Sequence, residues 1–196
     1  MRENLKSLEV RTVLQHLEGH LGSMEGGWSK EVHGKPLPFK VVRFRNQPQP
    51  GISTYSSLGL SSALLDLSDG RRVRQELLFA AYERSDESNI PGLITLVGRD
   101  LLESGKALLR GQVLGPAGPL LPDSSLDALY SAIPVVFPRP LRVCASTDPA
   151  TVFVWLIPIA RDEAELVRTS GWNRFEEILE EADPDLFDIH RGSVIH

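Results

Sequence analysis

Residues 51–62, GISTYSSLGLSS, crowd five serines, a threonine and a tyrosine between and beside glycines 51 and 59. Such a run can present a nucleophile, cradle a phosphate, or serve backbone groups at a turn. A nucleophile elbow needs G-x-S-x-G, but the residues here are Gly51-Ile52-Ser53-Thr54-Tyr55. The base would have to be His33 or His190, and neither has a motif around it. No Walker or G-x-G-x-x-G pattern occurs; GQVLGPAG, 111–118, spaces its glycines wrongly and adds prolines. The stretch therefore reads as scaffold, with the partner-facing role of Tyr55 left open.

His16 and His20 stand at i, i+4 in HLEGH, a spacing that can ligate zinc. A zincin places glutamate directly after the first histidine, where Leu17 stands. Glu18 lies about 200° round the helix from His16 at roughly 100° per residue. The two histidines read as a helix flank and only weakly as metal ligands, so no metal and no cofactor is expected. Cys144 is the single cysteine, which excludes a disulfide framework and a four-cysteine zinc site. Its place in a strand-like run reads as a buried thiol. The acidic residues at 162–165 and 176–185 read as solvated helix faces, with Asp162 and Glu163 favoured by the helix dipole. Trp28, in a glycine-rich loop, is the tryptophan most suited to a binding role; Trp155 and Trp172 read as core.

The 196 residues suit one domain, and 41% hydrophobic with 24% charged residues is ordinary for a globular protein. A net charge of −5 argues against nucleic acid. The N-terminus is too polar for a signal peptide, and TVFVWLIPIA is about half a membrane span. A cytoplasmic protein is expected.

Apolar spacing predicts a helix over 3–21, with Val10, Val13, Leu14, Leu17 and Leu21 on one face and Gly22 after its end. Residues 22–38 read as loop, 39–45 as a strand, and 46–51 as a connection. Residues 52–60 read as extended with one apolar parity turned inward. An Asp-Gly turn at 67–72 leads into 72–82, which reads as a central strand, though Gln75-Glu76-Leu77-Leu78 leaves a helix open. A helix is expected over 89–105, its stripe formed by Leu93, Leu96, Val97 and Leu101. Residues 107–115 read as a strand or strand pair, 116–125 as loop, and 126–133 as a short helix or turn. Strands are expected at 141–146 and 151–159, helices over 160–171 and 172–183, and an extended end from 187. The class is α+β (mixed α/β), with a single central β-sheet flanked by helices.

GISTYSSLGLS, RRVRQELLF, VFVWLIPIARDEAELVRTSG and DIHRGSV, in this order, resemble the Suppressor-of-fused domain family. The matching positions are Gly51, Thr54, Tyr55, Ser56, Gly59, Leu60, Ser61, Arg74, Glu76, Leu77, Pro158, Glu163, Gly171, Asp188, Arg191 and Ser193. The first run is the most specific of the four. The resemblance spans residues 28–195 of a single domain, 1–196, whose first 22 residues hold the N-terminal helix. It implies a mixed α/β domain without catalysis. Animal members regulate the Hedgehog pathway by clamping an extended segment of Gli factors against a second domain. With no room here for that second half, the clamp is not expected to carry over. Stand-alone bacterial members imply an immunity protein that binds a toxin domain.

Tyr55, Arg74, Glu76, Asp188 and Arg191 are the candidate binding residues under this resemblance. Arg74, Glu76, Asp188 and Arg191 are expected to form a partly buried ion-pair network tying the terminal segment to the sheet. The alternative is a small enzyme with a charged cleft built from Arg74, Glu76, Asp188 and His190.

Overall fold

The computed structural model describes residues 2–30, 36–83 and 89–195, with side chains from residue 7 onward. In chain order the elements are α1 (Arg2–Leu21), β1 (Gly26–Lys30), β2 (Pro36–Arg45), β3 (Ile52–Leu58), β4 (Leu65–Asp66), β5 (Arg72–Tyr82) and α2 (Ile90–Ser104). They continue with β6 (Val113–Leu114), β7 (Ala128–Ala132), β8 (Val143–Cys144), β9 (Thr151–Ile159), α3 (Arg161–Ser170) and α4 (Trp172–Ala182). The strands run β1-β2-β3-β5-β9-β7-β6 across the sheet, with β4 on β5 and β8 on β9. Every pairing is antiparallel except β5 with β9. The chain is thus α+β, one mixed sheet with helices on both faces.

Side-chain alternation along the central strands builds the two layers. On β5, Leu77, Phe79 and Ala81 join the core under α2, while Leu78 and Ala80 join the core under α1, α3 and α4. β9 repeats this, with Val154 and Leu156 toward α2, and Phe153, Trp155 and Ile157 toward the other three helices. Helices on both faces explain why β3 departs from the simple inside–outside alternation expected of it. All seven of its residues are buried, the serines included. The N-terminal helix fits its apolar spacing: Val13, Leu17 and Leu21 are buried, and Gly22, at positive φ, donates to the Glu18 carbonyl.

Two expectations fail because pairing along a sheet overrides local propensity. Residues 26–30 are a strand, because Gly26–Trp28 ladder onto Val41–Arg43 of β2. Residues 128–132 are a strand rather than a helix, because Ala128–Ala132 pair with Trp155–Ile159. Within 107–115 only Val113 and Leu114 pair, and 141–146 yields a 3-10 turn and the short β8. The α2 stripe is rotated from its expected position. Ile90, Ile94, Val97 and Leu101 face the sheet, and Leu96 is 61% exposed. Residues 185–191 form turns instead of an extended end.

Gly98 sets how closely α2 approaches the sheet. A Cβ there would stand 2.3 Å from the ring tip of buried Phe39 on β2. Gly98→Ala gains about 1 kcal/mol of helix propensity, but overpacking costs typically about 1–3 kcal/mol. The expected result is a lower urea midpoint, partly restored by adding Phe39→Leu. A midpoint raised by Gly98→Ala alone would show that the ring yields freely.

Candidate functional site

Glu76 lies on β5 with no exposed surface, and the serine run of 51–62 closes around it. The Gly59 amide donates to its Oε1 at 2.8 Å, the Ser61 amide at 3.1 Å and the Ser61 hydroxyl at 2.7 Å. The Ser57 hydroxyl donates to Oε2 and accepts from the Leu77 amide at 2.8 Å. Ser57 therefore completes the ladder where β3 turns away from β5, and holds the carboxylate with the same atom. Gly59 makes the turn at φ 105, a conformation that glycine adopts without a Cβ penalty. Ser56 and Thr54 bond backbone carbonyls, at 2.7 and 2.6 Å. Burial pushes the Glu76 carboxyl above the usual carboxylate range, opposed by the hydrogen bonds from Ser57, Ser61 and Gly59.

Arg74 lies near the start of the same strand. It pairs with Glu9 of α1 at 2.9 Å and donates to the Ser61 carbonyl at 2.7 Å and the Asp148 carbonyl at 3.3 Å. Three segments meet on one guanidinium. Tyr55 is buried beneath Trp28, their rings 5.9 Å apart. Trp28 is accordingly a half-buried strand residue packed on the α2-side core, not a loop platform.

Arg191 finds its carboxylate elsewhere. It forks onto Glu163, Nη1 to Oε1 at 2.7 Å and Nη2 to Oε2 at 2.9 Å, with both side chains buried. Its remaining donors reach the Gly192 carbonyl at 2.9 Å and the Pro158 carbonyl at 3.1 Å. Glu163 also accepts the Ala160 amide at 2.7 Å and the Val194 amide at 3.0 Å. Ala160 has no side-chain oxygen, so this is the glutamate half of a capping box. Four donors on one carboxylate answer the desolvation that makes a buried ion pair costly. The pair joins the end of β9, the start of α3 and the terminal segment.

The expected four-residue network is thus two separate assemblies. Asp188 contributes its carboxylate to the His190 amide at 3.0 Å, closing a turn, and makes no ion pair among the described residues. His190 is exposed, with Nδ1 3.1 Å from the Asp123 carbonyl. The charged cleft proposed from Arg74, Glu76, Asp188 and His190 does not form. Arg74 lies near the start of β5, whereas Phe187, just before Asp188, accepts the Tyr82 amide at the other end of that strand. Eight residues of strand separate them, about 26 Å at 3.3 Å per residue. Of the five candidate binding residues, Tyr55, Glu76 and Arg191 are buried. The sequence reading missed Glu163 as the partner of Arg191. Its signal was present: a glutamate at the third position of a helix that directly follows a buried strand.

His16 stacks on Phe153 with ring centroids 5.5 Å apart, and its Nε2 is 3.1 Å from the Leu141 carbonyl. A carbonyl only accepts, so that nitrogen carries the proton. Burial holds the imidazole below its ordinary range. His20 meets His16 edge-on at 4.9 Å. Among the described residues no three histidine, cysteine or acidic side chains gather as a metal site. His33 lies outside the described residues. Cys144 is buried on β8.

A mixed sheet between α2 and three other helices, closed by a buried glutamate–arginine fork, defines a non-repetitive α+β domain. The chain belongs to the Suppressor of fused protein (SUFU) family, whose sequence profile matches residues 35–192. It is 22% identical over 157 residues to immunity protein YqcF of Bacillus subtilis (strain 168), covering 79% of this chain and 81% of that protein. Its structure is similar to that of a SUFU homolog from Neisseria gonorrhoeae FA 1090, with TM-score 0.76, 20% identity, and 95% and 96% of the two chains covered. The Sufu-Fu complex structure follows at TM-score 0.63 and 16% identity, covering 96% of this chain and 91% of that one. Drosophila Suppressor of Fused matches at TM-score 0.61 and 16% identity; this chain spans about half its length, 50%.

The raised pKa of Glu76 has a sign that can be tested. A carboxyl whose folded pKa exceeds its unfolded value holds its proton more tightly when folded. Its stabilising contribution is present below the unfolded pKa and is lost as pH rises through the folded one. Glu76→Gln removes this titration. The stability of the wild type relative to Glu76→Gln should therefore fall from pH 4 to pH 8 in urea unfolding. A relative stability that rises with pH would show that the four donors favour the ionised form.

Proposed function

We propose that this chain is a cytoplasmic immunity protein, a single non-catalytic domain that neutralises a toxin domain by binding it. The observation that carries the reading is the similarity to immunity protein YqcF along most of both chains. The internal partners of Glu76, Arg74 and Arg191 support it, because these charges serve the fold. No helix among the described residues is long and apolar enough to cross a membrane, which agrees with a cytoplasmic site of action. The net charge of −5 suits a basic partner, since complementary charge speeds encounter.

The test is co-expression with the protein encoded by the reading frame immediately upstream of this gene, which the reading expects to be a toxin. The toxin alone should arrest growth, and this chain should restore it. The two purified proteins should form a complex with Kd of about 10⁻⁷ M or tighter, the range of specific standard-size interfaces. Persistent arrest together with no complex by calorimetry would overturn the reading.

A further inference from the structure

We propose that the groove between the end of β7 and the C-terminal end of α4 docks one apolar side chain of a protein partner flanked by basic residues. The proposal rests on the protein-binding reading above and names the surface and the chemistry it selects. The cavity there is about 290 Å³, and its lining includes the buried side chains Trp155, Ile157 and Leu179 together with Leu186. That is at the small end of ligand pockets, enough for one large side chain. The chain leaves β7 through Ile133 and Val135, which line the groove and are 39% and 61% exposed, and Val136, next in the chain, is 39% exposed. Three neighbouring aliphatic side chains exposed beside an apolar cavity mark a contact surface more than a solvated loop.

The charge around the mouth is one-sided. Arg110, the cation among the lining residues, is held by Glu176, with Nε donating to Oε1 at 3.1 Å and a second bond to Oε2. Its guanidinium also covers the Trp172 ring at 4.3 Å. Tyr130 donates to the same Glu176 at 2.7 Å. Glu180 and Asp183, both exposed, also line the groove, and neither makes an ion pair or side-chain hydrogen bond among the described residues. The C-terminal end of α4 adds the negative pole of the helix. The rim therefore selects cations, and the base selects an apolar group.

Asp183 is also placed against the interests of the fold. It caps α4 at φ 43, in the left-handed region where glycine is easiest, and carries a negative charge at the helix's negative end. Stability alone favours glycine or a cation there.

The probe is the peptide acetyl-Lys-Lys-Trp-Lys-Lys-amide, followed by NMR on the Ile157, Leu179 and Leu186 methyls and the Trp155 indole. Saturable shifts confined to this groove are expected, weakening as salt rises. Acetyl-Glu-Glu-Trp-Glu-Glu-amide should bind far less well. Glu180→Lys with Asp183→Lys should weaken binding by about tenfold or more, as charge reversal at a rim does. Asp183→Gly should weaken binding while holding or raising the melting temperature, a split that a purely structural role would not produce. Scattered shifts, equal binding of the acidic peptide, or unchanged affinity in the charge-reversed variant would each overturn the proposal. The peptide requires no toxin, so its failure removes this surface and leaves the immunity reading to the co-expression result. Failed rescue with localised peptide shifts removes the immunity role and keeps the surface.

Discussion

A carboxylate withdrawn entirely from water must be answered by the protein, and Glu163 is answered four times. Two of its donors come from Arg191 and two from backbone amides, Ala160 just before the helix and Val194 in the terminal segment. Breaking such a pair leaves an unanswered buried charge, at a cost of about 3–5 kcal/mol. Its consequence is geometric. The arginine also holds the Pro158 carbonyl, so the last residues of the chain are fixed against the end of the central strand β9. The Ser124 hydroxyl, bonded to the Ile189 carbonyl at 2.5 Å, extends the same clasp to the proline-rich loop. Strand end, helix start and terminus are positioned by one fork of two bonds.

Glu76 solves the same problem without a facing cation. Its donors are two hydroxyls and two amides from the turn that ends β3. This gives the serine run a defined physical role. Ser57 and Ser61 are required as donors, and Gly59 is required for the turn that brings the amides onto the carboxylate. Arg74 contributes from outside, holding the Ser61 carbonyl of that same turn while reaching Glu9 on α1. The charges that make the sequence look chemical are therefore distributed over two structural clasps at different ends of the sheet. What they leave for a partner is the surface above them, including the acidic rim and exposed aliphatic residues between β7 and α4.

Local periodicity made all four helices legible, because each carries an apolar stripe or a glycine terminus that needs no tertiary information. Gly22, Gly105 and Gly171 mark three of their ends. β5 and β9 were legible as long apolar runs. Two others were not: Gly26–Trp28 and Ala128–Ala132 become strand through partners more than a dozen residues away. The site was half legible. The ordered runs singled out Arg74, Glu76, Asp188 and Arg191, and these four were expected to tie the terminal segment to the sheet. The partner of Arg191 was only partly legible: Glu163 stood at the third position of a helix after a buried strand, but no local pattern links it to Arg191, 28 residues away. Asp188, close to Arg191 in sequence, was the natural but wrong choice; its side chain closes a local turn.

The central claim is that Glu163 and Arg191 act as one unit that fixes the terminus. A double-mutant cycle on stability tests it most directly, using Glu163→Gln, Arg191→Met and both together in urea unfolding. Each single change should be strongly destabilising, and the double variant should lose less than the sum, with a coupling of about 2 kcal/mol or more. Additive losses, with no coupling between the two positions, would contradict the account.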